Sequence, residues 1–500
     1  MQQHASKAYL AHGPSDYIGG RFVPIAGDAV VTRDPAMPST VVWSGTPVAS
    51  HADDAVAAAR AAFPAGSARA FDERRALLER WRDACLRHAP RMAAAISREV
   101  GKVRWEAELE AKLLADKVTI TLEDRVLARV TGFEVAAGPG KTGVCGFRPH
   151  GVMAVLGPFN FPAHLPNGHF VPALLLGNTV VFKPSEKAAA VGQLLAEIAD
   201  EVGFPAGVFN VVQGGGAVAA RIAAHDGVDG ILFTGSFPVG RRILEANLDR
   251  PGRLIALEMG GSNPAVVMRG ADLRRAAIEC VRASFATTGQ RCTCTRRIIV
   301  DDAVADEFIP KVLRIASTLI IAAADDGVPA FMGPLVTAEA RDEVLRAQAA
   351  LAAQGRLLLE ASPLDRAGHF ISPGAVELPR FERRADEREI FGPFVQFARA
   401  CGLDDAIAQA NATAFGLAAS IFTADEGEWR AFSAGCRAGC INWNTGTAGA
   451  SSKLPFGGLG RSGNHRPAGA FAVDACAYPV ATMIDTAEPV VPQGMRVDEA

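Results

Sequence analysis

The sequence predicts an α/β fold: a doubly wound parallel sheet followed by a second α/β unit and a small β arm. Three observations predict it. Short continuous apolar runs at residues 152–156, 179–182, 209–212, 230–233 and 254–257 read as strands buried on both faces, because strands covered by helices lack the alternation of half-exposed ones. Stretches with helical periodicity, such as 188–201 and 239–247, separate most of those runs, as a wound parallel sheet requires. The third observation is size. A chain of 500 residues, 49% of them hydrophobic, exceeds what one core accommodates and points to two or three domains.

In chain order, the first third reads as helix. Residues 72–88 carry apolar side chains at helical spacing; Pro90 then opens a second helix that runs to Val100 and stops at Gly101. Residues 105–129 read as one long helix from their 3.6-residue recurrence. Residues 131–147 alternate β-formers with glycine and proline, as an extended hairpin arm does. The wound strands follow. After Gly260 the second α/β stretch has helices at 272–285, 303–317 and 338–354, and the chain closes with a strand-like run at 477–484 and a polar tail.

Composition excludes several classes. A net charge of −3 offers no basic face for nucleic acid. The most apolar stretches, 170–182 and 315–324, fall short of the roughly 20 residues of a membrane span, and residues 1–15 lack the apolar segment of a secretory signal. Nine scattered cysteines fit a reducing compartment better than a disulfide framework, so a cytoplasmic location is expected. No Cys/His set has zinc spacing, and no metal is expected.

Five short motifs carry chemistry. In Gly289-Gln290-Arg291-Cys292 a thiol beside a cation, on a loop that interrupts a helix, can ionise more readily and attack a carbonyl; a lone cysteine is more often core. Cys294 either packs under that loop or resolves an oxidised Cys292. Glu258 ends an apolar strand before Gly260-Gly261, where active-site groups of open α/β sheets gather, and a partly desolvated carboxyl there can act as a general base. A surface strand-end glutamate is an equal alternative on geometry. Gly235, Ser236 and Gly240 join a strand to a helix whose N-terminus can meet a pyrophosphate. Lys183 and Glu186, at another strand end, could bond ribose hydroxyls or form a solvated charge pair. Asn160, in Pro158-Phe159-Asn160-Phe161-Pro162, could donate to an oxyanion or simply make a turn.

Each motif is ambiguous alone. Their order, continued by Glu389-Ile390-Phe391-Gly392-Pro393 and Pro455-Phe456-Gly457-Gly458, and the 34-residue separation of Glu258 from Cys292 resemble the aldehyde dehydrogenase superfamily. The resemblance runs from about residue 16 to residue 485. It implies the aldehyde dehydrogenase fold, with an NAD-binding domain over 8–128 and 149–258, a catalytic domain over 259–462, an oligomerisation arm over 129–148 and 463–485, and a loose tail over 486–500. It implies Cys292 as nucleophile, Asn160 with the Cys292 N–H as oxyanion hole, and Glu258 as the base that activates water. Lys183, Glu186, Gly235, Ser236, Gly240, Glu389 and Phe391 would hold NAD, and the subunits would pair as a homodimer or homotetramer.

Narrower matches lie in Arg148-Pro149-His150-Gly151, in the run from His164 through Asn167 to His169, and in Asn464-His465-Arg466-Pro467. These are similar to the branch that oxidises N-succinylglutamate 5-semialdehyde in arginine catabolism. That substrate's carboxylates need cationic or amide partners; His164, Asn167, Arg291 and Thr445 are the candidates, although Arg291 could instead bias Cys292 toward thiolate. After Asn442-Trp443-Asn444 the branch leads one to expect Lys-Pro, and Thr445-Gly446 stands there. A paralogue acting on another aliphatic or aromatic aldehyde therefore stays open. A coenzyme A-acylating enzyme needs no hydrolytic base, a cysteine hydrolase needs no nucleotide residues, and an inactive relative would have lost Cys292, Glu258 or Asn160.

Overall fold

The computed structural model describes residues 9–497. Residue 8, the expected start of the first domain, and residues 498–500 of the tail lie outside the described residues.

The five apolar runs form parallel strands. Their spatial order is Leu254–Glu258, Gly230–Thr234, Val152–Leu156, Thr179–Lys183, Phe209–Val211. The chain winds outward from Val152–Leu156 in one direction, then crosses to build the other side, so the order reverses between Val152–Leu156 and Gly230–Thr234. Ligands of open sheets bind outside the strand carboxyl ends at such a reversal. Here Leu156, Lys183, Thr234 and Glu258, the last residues of four strands, border a cavity of about 1750 Å³.

The first third is not all helix. Ser15–Ile18 and Arg21–Pro24 add two antiparallel strands to this sheet beyond Phe209–Val211, and Val30–Asp34 pairs with Met37–Gly45. The turn between the first two is Gly19-Gly20, with φ of 59° and 78°. Paired positive φ values match the twist of the flanking strands. The expected break at Pro90 is also absent: Phe71–Val100 is one helix. Its buried stripe, from Leu77, Leu78 and Trp81 through Met92, Ala93 and Ile96, continues past Pro90, and tertiary packing outweighs the one missing hydrogen bond. Gly101, at φ 75°, does end it. The long helix expected at 105–129 stops earlier, as Arg104–Thr121, and a short helix Asp124–Leu127 follows.

A second sheet has the order Arg356–Leu359, Gly374–Glu377, Phe394–Ala400, Thr295–Asp301, Asn263–Val267, Ala418–Phe422, Cys440–Trp443, parallel except at its first pair. The helices expected beside it form as Leu273–Phe285, Asp302–Ala316 and Ala338–Ala352. A third, antiparallel sheet joins Phe133–Ala136, Lys141–Pro149 and the late strand Ala477–Asp485. Residues 486–497 form no helix or strand and are exposed. No helix among the described residues is long and apolar enough to cross a membrane.

Candidate active site

Cys292 lies where helix Leu273–Phe285 gives way to strand Thr295–Asp301, on a loop wound against its own sterics. Thr287 and Thr288 have φ of 53° and 54°, followed by Gly289 at 70°. β-Branched residues adopt that conformation only when neighbours hold them there. Glu106 does so: its Oε1 accepts from Thr287 N at 2.9 Å and Thr287 Oγ1 at 2.8 Å. The Thr288 hydroxyl donates to Gly333 O at 2.9 Å. A Cβ at Gly289 would fall 2.1 Å from Gly392 O. On the far side, Asn263 Nδ2 donates to the carbonyls of Cys292 and Cys294 at 2.7 and 2.8 Å.

Arg291 does not serve Cys292. Its guanidinium turns to Glu106 Oε1 at 2.7 Å and Thr287 Oγ1 at 2.7 Å. The expectation of an easily ionised thiol is therefore reversed. Burial pushes the Cys292 thiol up, the Glu389 and Glu258 carboxyls push it further, and Arg296 offsets only part. Cys294 is fully buried with its thiol toward Ala286 O at 3.8 Å, so it packs under the loop.

Glu258 ends its strand inside the molecule, 3% exposed, with neither carboxyl oxygen hydrogen-bonded. Burial drives this carboxyl well above its ordinary range, and the distant approach of the Ala468 N–H offsets only part of that. The 455–469 segment encloses it: a Cβ at Gly457 would stand 2.7 Å from Glu258 Oε1. Asn464, expected as part of a substrate signature, instead braces the strand. Its Oδ1 accepts from Leu257 N at 3.0 Å and its Nδ2 donates to Ile255 O at 2.8 Å. Asn160 is 6% exposed and donates one amide proton to Gln290 O at 2.9 Å. Asn160, Glu258 and Cys292 all border the cavity.

Of the residues expected to hold a dinucleotide, Lys183, Glu186, Gly235, Ser236, Glu389 and Phe391 border the same cavity, whereas Gly240 lies behind the wall. Lys183 Nζ donates to Gly214 O at 2.6 Å and to Pro184 O, and stands 3.9 Å from Glu186 Oε2; burial lowers it to about 8. The Glu186 carboxylate is exposed and free to accept from hydroxyls. Ser236 precedes helix Phe237–Glu245; Pro238 has no N–H and Val239 N donates to Ser236 O at 3.1 Å, which leaves the Phe237 N–H for the cavity. Gly240 keeps that helix on the sheet, since a Cβ there would meet Met259 Sδ at 2.5 Å. Glu389 pairs with Arg296 at 3.3 Å, and burial raises its carboxyl to about 7. Phe391 meets Phe159 edge to face at 5.8 Å. Carboxylates, an ammonium and a helix N-terminus along one flank suit the hydroxyls and phosphates of a dinucleotide.

Of the four substrate candidates, His164 and Arg291 reach the cavity wall. Asn167 does not: it is fully buried, accepting from Trp81 Nε1 at 2.9 Å and donating to Leu114 O at 3.0 Å. Thr445 does not border the cavity either; its hydroxyl donates to Glu279 Oε2 at 3.1 Å. The Ala448, Ala450, Ser451, Ser452 and Lys453 stretch of that loop forms the wall instead. Sequence reasoning missed Glu106, Asn263 and Lys117. Glu106, Glu110 and Lys117 share the buried face of helix Arg104–Thr121, so charged residues on an apolar stripe were the available signal.

Residues 23–480 match the model of the aldehyde dehydrogenase family. An N-succinylglutamate 5-semialdehyde dehydrogenase 2 of Caulobacter vibrioides is 43% identical over 469 residues, covering 93% of this chain and 95% of that protein. An N-succinylglutamate 5-semialdehyde dehydrogenase of Ectopseudomonas mendocina is 41% identical, covering 93% and 96%. Among solved structures, a 1-pyrroline-5-carboxylate dehydrogenase from Thermus with bound NAD superposes with a TM-score of 0.90 at 29% identity, covering 96% of this chain and 94% of that one.

Proposed function

The chain belongs to the aldehyde dehydrogenase family, and from that premise we propose that it oxidises N-succinylglutamate 5-semialdehyde to N-succinylglutamate, with NAD as acceptor and hydrolysis as the release step. One observation carries the hydrolytic reading: Glu258 stands on the cavity of Cys292 and Asn160 with neither carboxyl oxygen in a close hydrogen bond. A buried carboxyl without a close partner costs stability whatever its role, so its place on the cavity points to a task. The substrate rests on the relatives' printed names. The Thr445-Gly446 departure does not count against it, because that pair lies off the cavity wall.

Cys292, once deprotonated, adds to the aldehyde carbon. The second amide proton of Asn160 and the Cys292 N–H, which has no acceptor among the described residues, stabilise the oxyanion. NAD, when bound, supplies the hydride acceptor; Lys183, Glu186, Ser236, Glu389 and Phe391 would hold it, with Gly235 keeping the backbone close and Gly240 seating the helix on the sheet. An acyl thioester remains on Cys292. Glu258 takes a proton from water as that water attacks the thioester, and the carboxylic acid leaves.

Residues 8–128 and 149–258 serve as the nucleotide domain, 259–462 as the catalytic domain, and 129–148 with 463–485 as an arm joining copies into a homodimer or homotetramer. Nine free cysteines favour a reducing, cytoplasmic setting. The test is kcat/KM with NAD for N-succinylglutamate 5-semialdehyde against aliphatic and aromatic aldehydes. The succinylated substrate is expected to lead. A tenfold preference for the apolar aldehydes, about 1.4 kcal/mol of transition-state binding, would contradict the assignment.

A further inference from the structure

We propose that Lys117, with His164 beside it, forms a carboxylate subsite in the wall of the active-site cavity and holds one of the two carboxylates of the aldehyde substrate. This rests on the substrate reading above and names the residues that make it.

Lys117 is on helix Arg104–Thr121, 2% exposed, and borders the cavity. Its ammonium has three protons to place, and it donates to one carbonyl, Gly469 O, at 2.6 Å. Among the described residues no carboxylate lies within ion-pair distance of it. The other buried cations on this wall are matched: Arg291 pairs with Glu106 at 2.7 Å, and Lys183 approaches Glu186 at 3.9 Å. Lys102, behind Phe161, pairs with Glu110 at 2.5 Å. Lys117 therefore leaves an uncompensated positive charge beside the cavity, and burial lowers it to about 8.

His164 is the second half of the subsite. It begins helix His164–Leu175, borders the cavity, and has a buried Nδ1 without a hydrogen-bond partner. Burial, with Lys117 and Lys102 adding to it, lowers the imidazole to about 4. It is therefore neutral at pH 7, and in the tautomer that turns its one N–H from the Leu113 carbonyl, it donates into the cavity. A substrate carboxylate would complete both groups, neutralising the ammonium and accepting from the imidazole. An uncharged aldehyde would complete neither. The competing role for Lys117 is structural: tying the Pro455–Phe456 and Ala468–Gly469 hairpin to the helix through Gly469 O.

The experiment measures kcat and KM for N-succinylglutamate 5-semialdehyde and for butanal, in the parent enzyme, Lys117→Met and Lys117→Arg. The expected result is that Lys117→Met lowers the charged-to-uncharged ratio of kcat/KM by about 30-fold or more, the effect of removing one partner of a buried charge pair. The loss falls mainly on KM, and Lys117→Arg restores part of the ratio. N-Acetylglutamate 5-semialdehyde, which keeps only the α-carboxylate, assigns the group held: a loss retained with it points to that carboxylate, and a loss abolished points to the succinyl one. Equal losses for both aldehydes would reduce Lys117 to a structural tie and overturn the proposal. A parent enzyme without preference for the succinylated substrate contradicts the substrate reading, whereas a preference that survives Lys117→Met contradicts the subsite alone. Should Lys117→Met not fold, His164→Phe, which fills the space before the ammonium, carries the same comparison.

Discussion

Burial holds the Glu258 carboxyl well above the ordinary carboxylate range, so the fraction able to act as a base grows as pH rises. Thioester hydrolysis should therefore accelerate with pH through the neutral range, and Glu258→Gln should lose that dependence; a parallel pH profile in the variant would exclude Glu258 as the base. Stability carries the opposite sign. A carboxyl whose pKa is raised in the folded state favours folding while protonated, and that advantage is lost as pH climbs through the folded pKa. The melting temperature of Glu258→Gln should gain on the parent between pH 5 and pH 9, and a gap that narrows would contradict the burial argument. Cys292, Glu258 and Asn160 were legible in the sequence because each sits in a short motif at a strand or loop end. Glu106 was not, since it reaches Thr287 across 181 residues. The Cys292 ionisation was misread for the same reason: adjacency in sequence put Arg291 beside the thiol, while the fold turns its guanidinium to Glu106.

Strand Leu254–Glu258 lies at the end of its sheet, and Asn464 supplies its outer hydrogen bonds in place of another strand. Asn464→Ala should cost about 1–3 kcal/mol, the penalty for leaving buried backbone groups unpaired, seen as a lower denaturation midpoint. It should also slow turnover more than the first burst of NADH, because Glu258 rides on this strand and Cys292 does not. Equal losses in both phases would mean that the bracing is general. The wound strands were legible because a buried parallel strand writes itself as an apolar run. The strands before residue 50 were not, although Gly19-Gly20 marks their turn; helical periodicity further along dominated the reading. Pro90 misled because a proline signals a break locally, whereas the stripe that keeps Phe71–Val100 whole spans 30 residues.

The two large sheets and the arm belong to different parts of the chain, yet strand Ala477–Asp485 returns to pair with Lys141–Pro149 across more than 300 residues. That sheet presents Phe133 at 59% exposure, Val135 at 52% and Met483 at 63%. Apolar side chains grouped on one face of a small sheet form the surface through which we propose that copies of the chain associate. Joint substitution Phe133→Asp and Met483→Asp should shift the sedimenting species toward monomer while leaving the single-chain far-ultraviolet spectrum intact. An unchanged assembly would move the interface elsewhere. The arm itself was legible from its Gly-spaced β-formers, but its apolar exposure was not, because exposure depends on what the other sheets leave uncovered.

In the proposed mechanism, oxidation and release are separate events at Cys292 and Glu258. The most direct measurement of that separation mixes Glu258→Gln with NAD and N-succinylglutamate 5-semialdehyde, follows NADH, and reads the trapped adduct by peptide mass. One equivalent of NADH per active site is expected, with an N-succinylglutamyl thioester on Cys292 and subsequent turnover slower by about two to four orders of magnitude. NADH formed continuously at the parent rate, or an adduct on any cysteine other than Cys292, would contradict that mechanism.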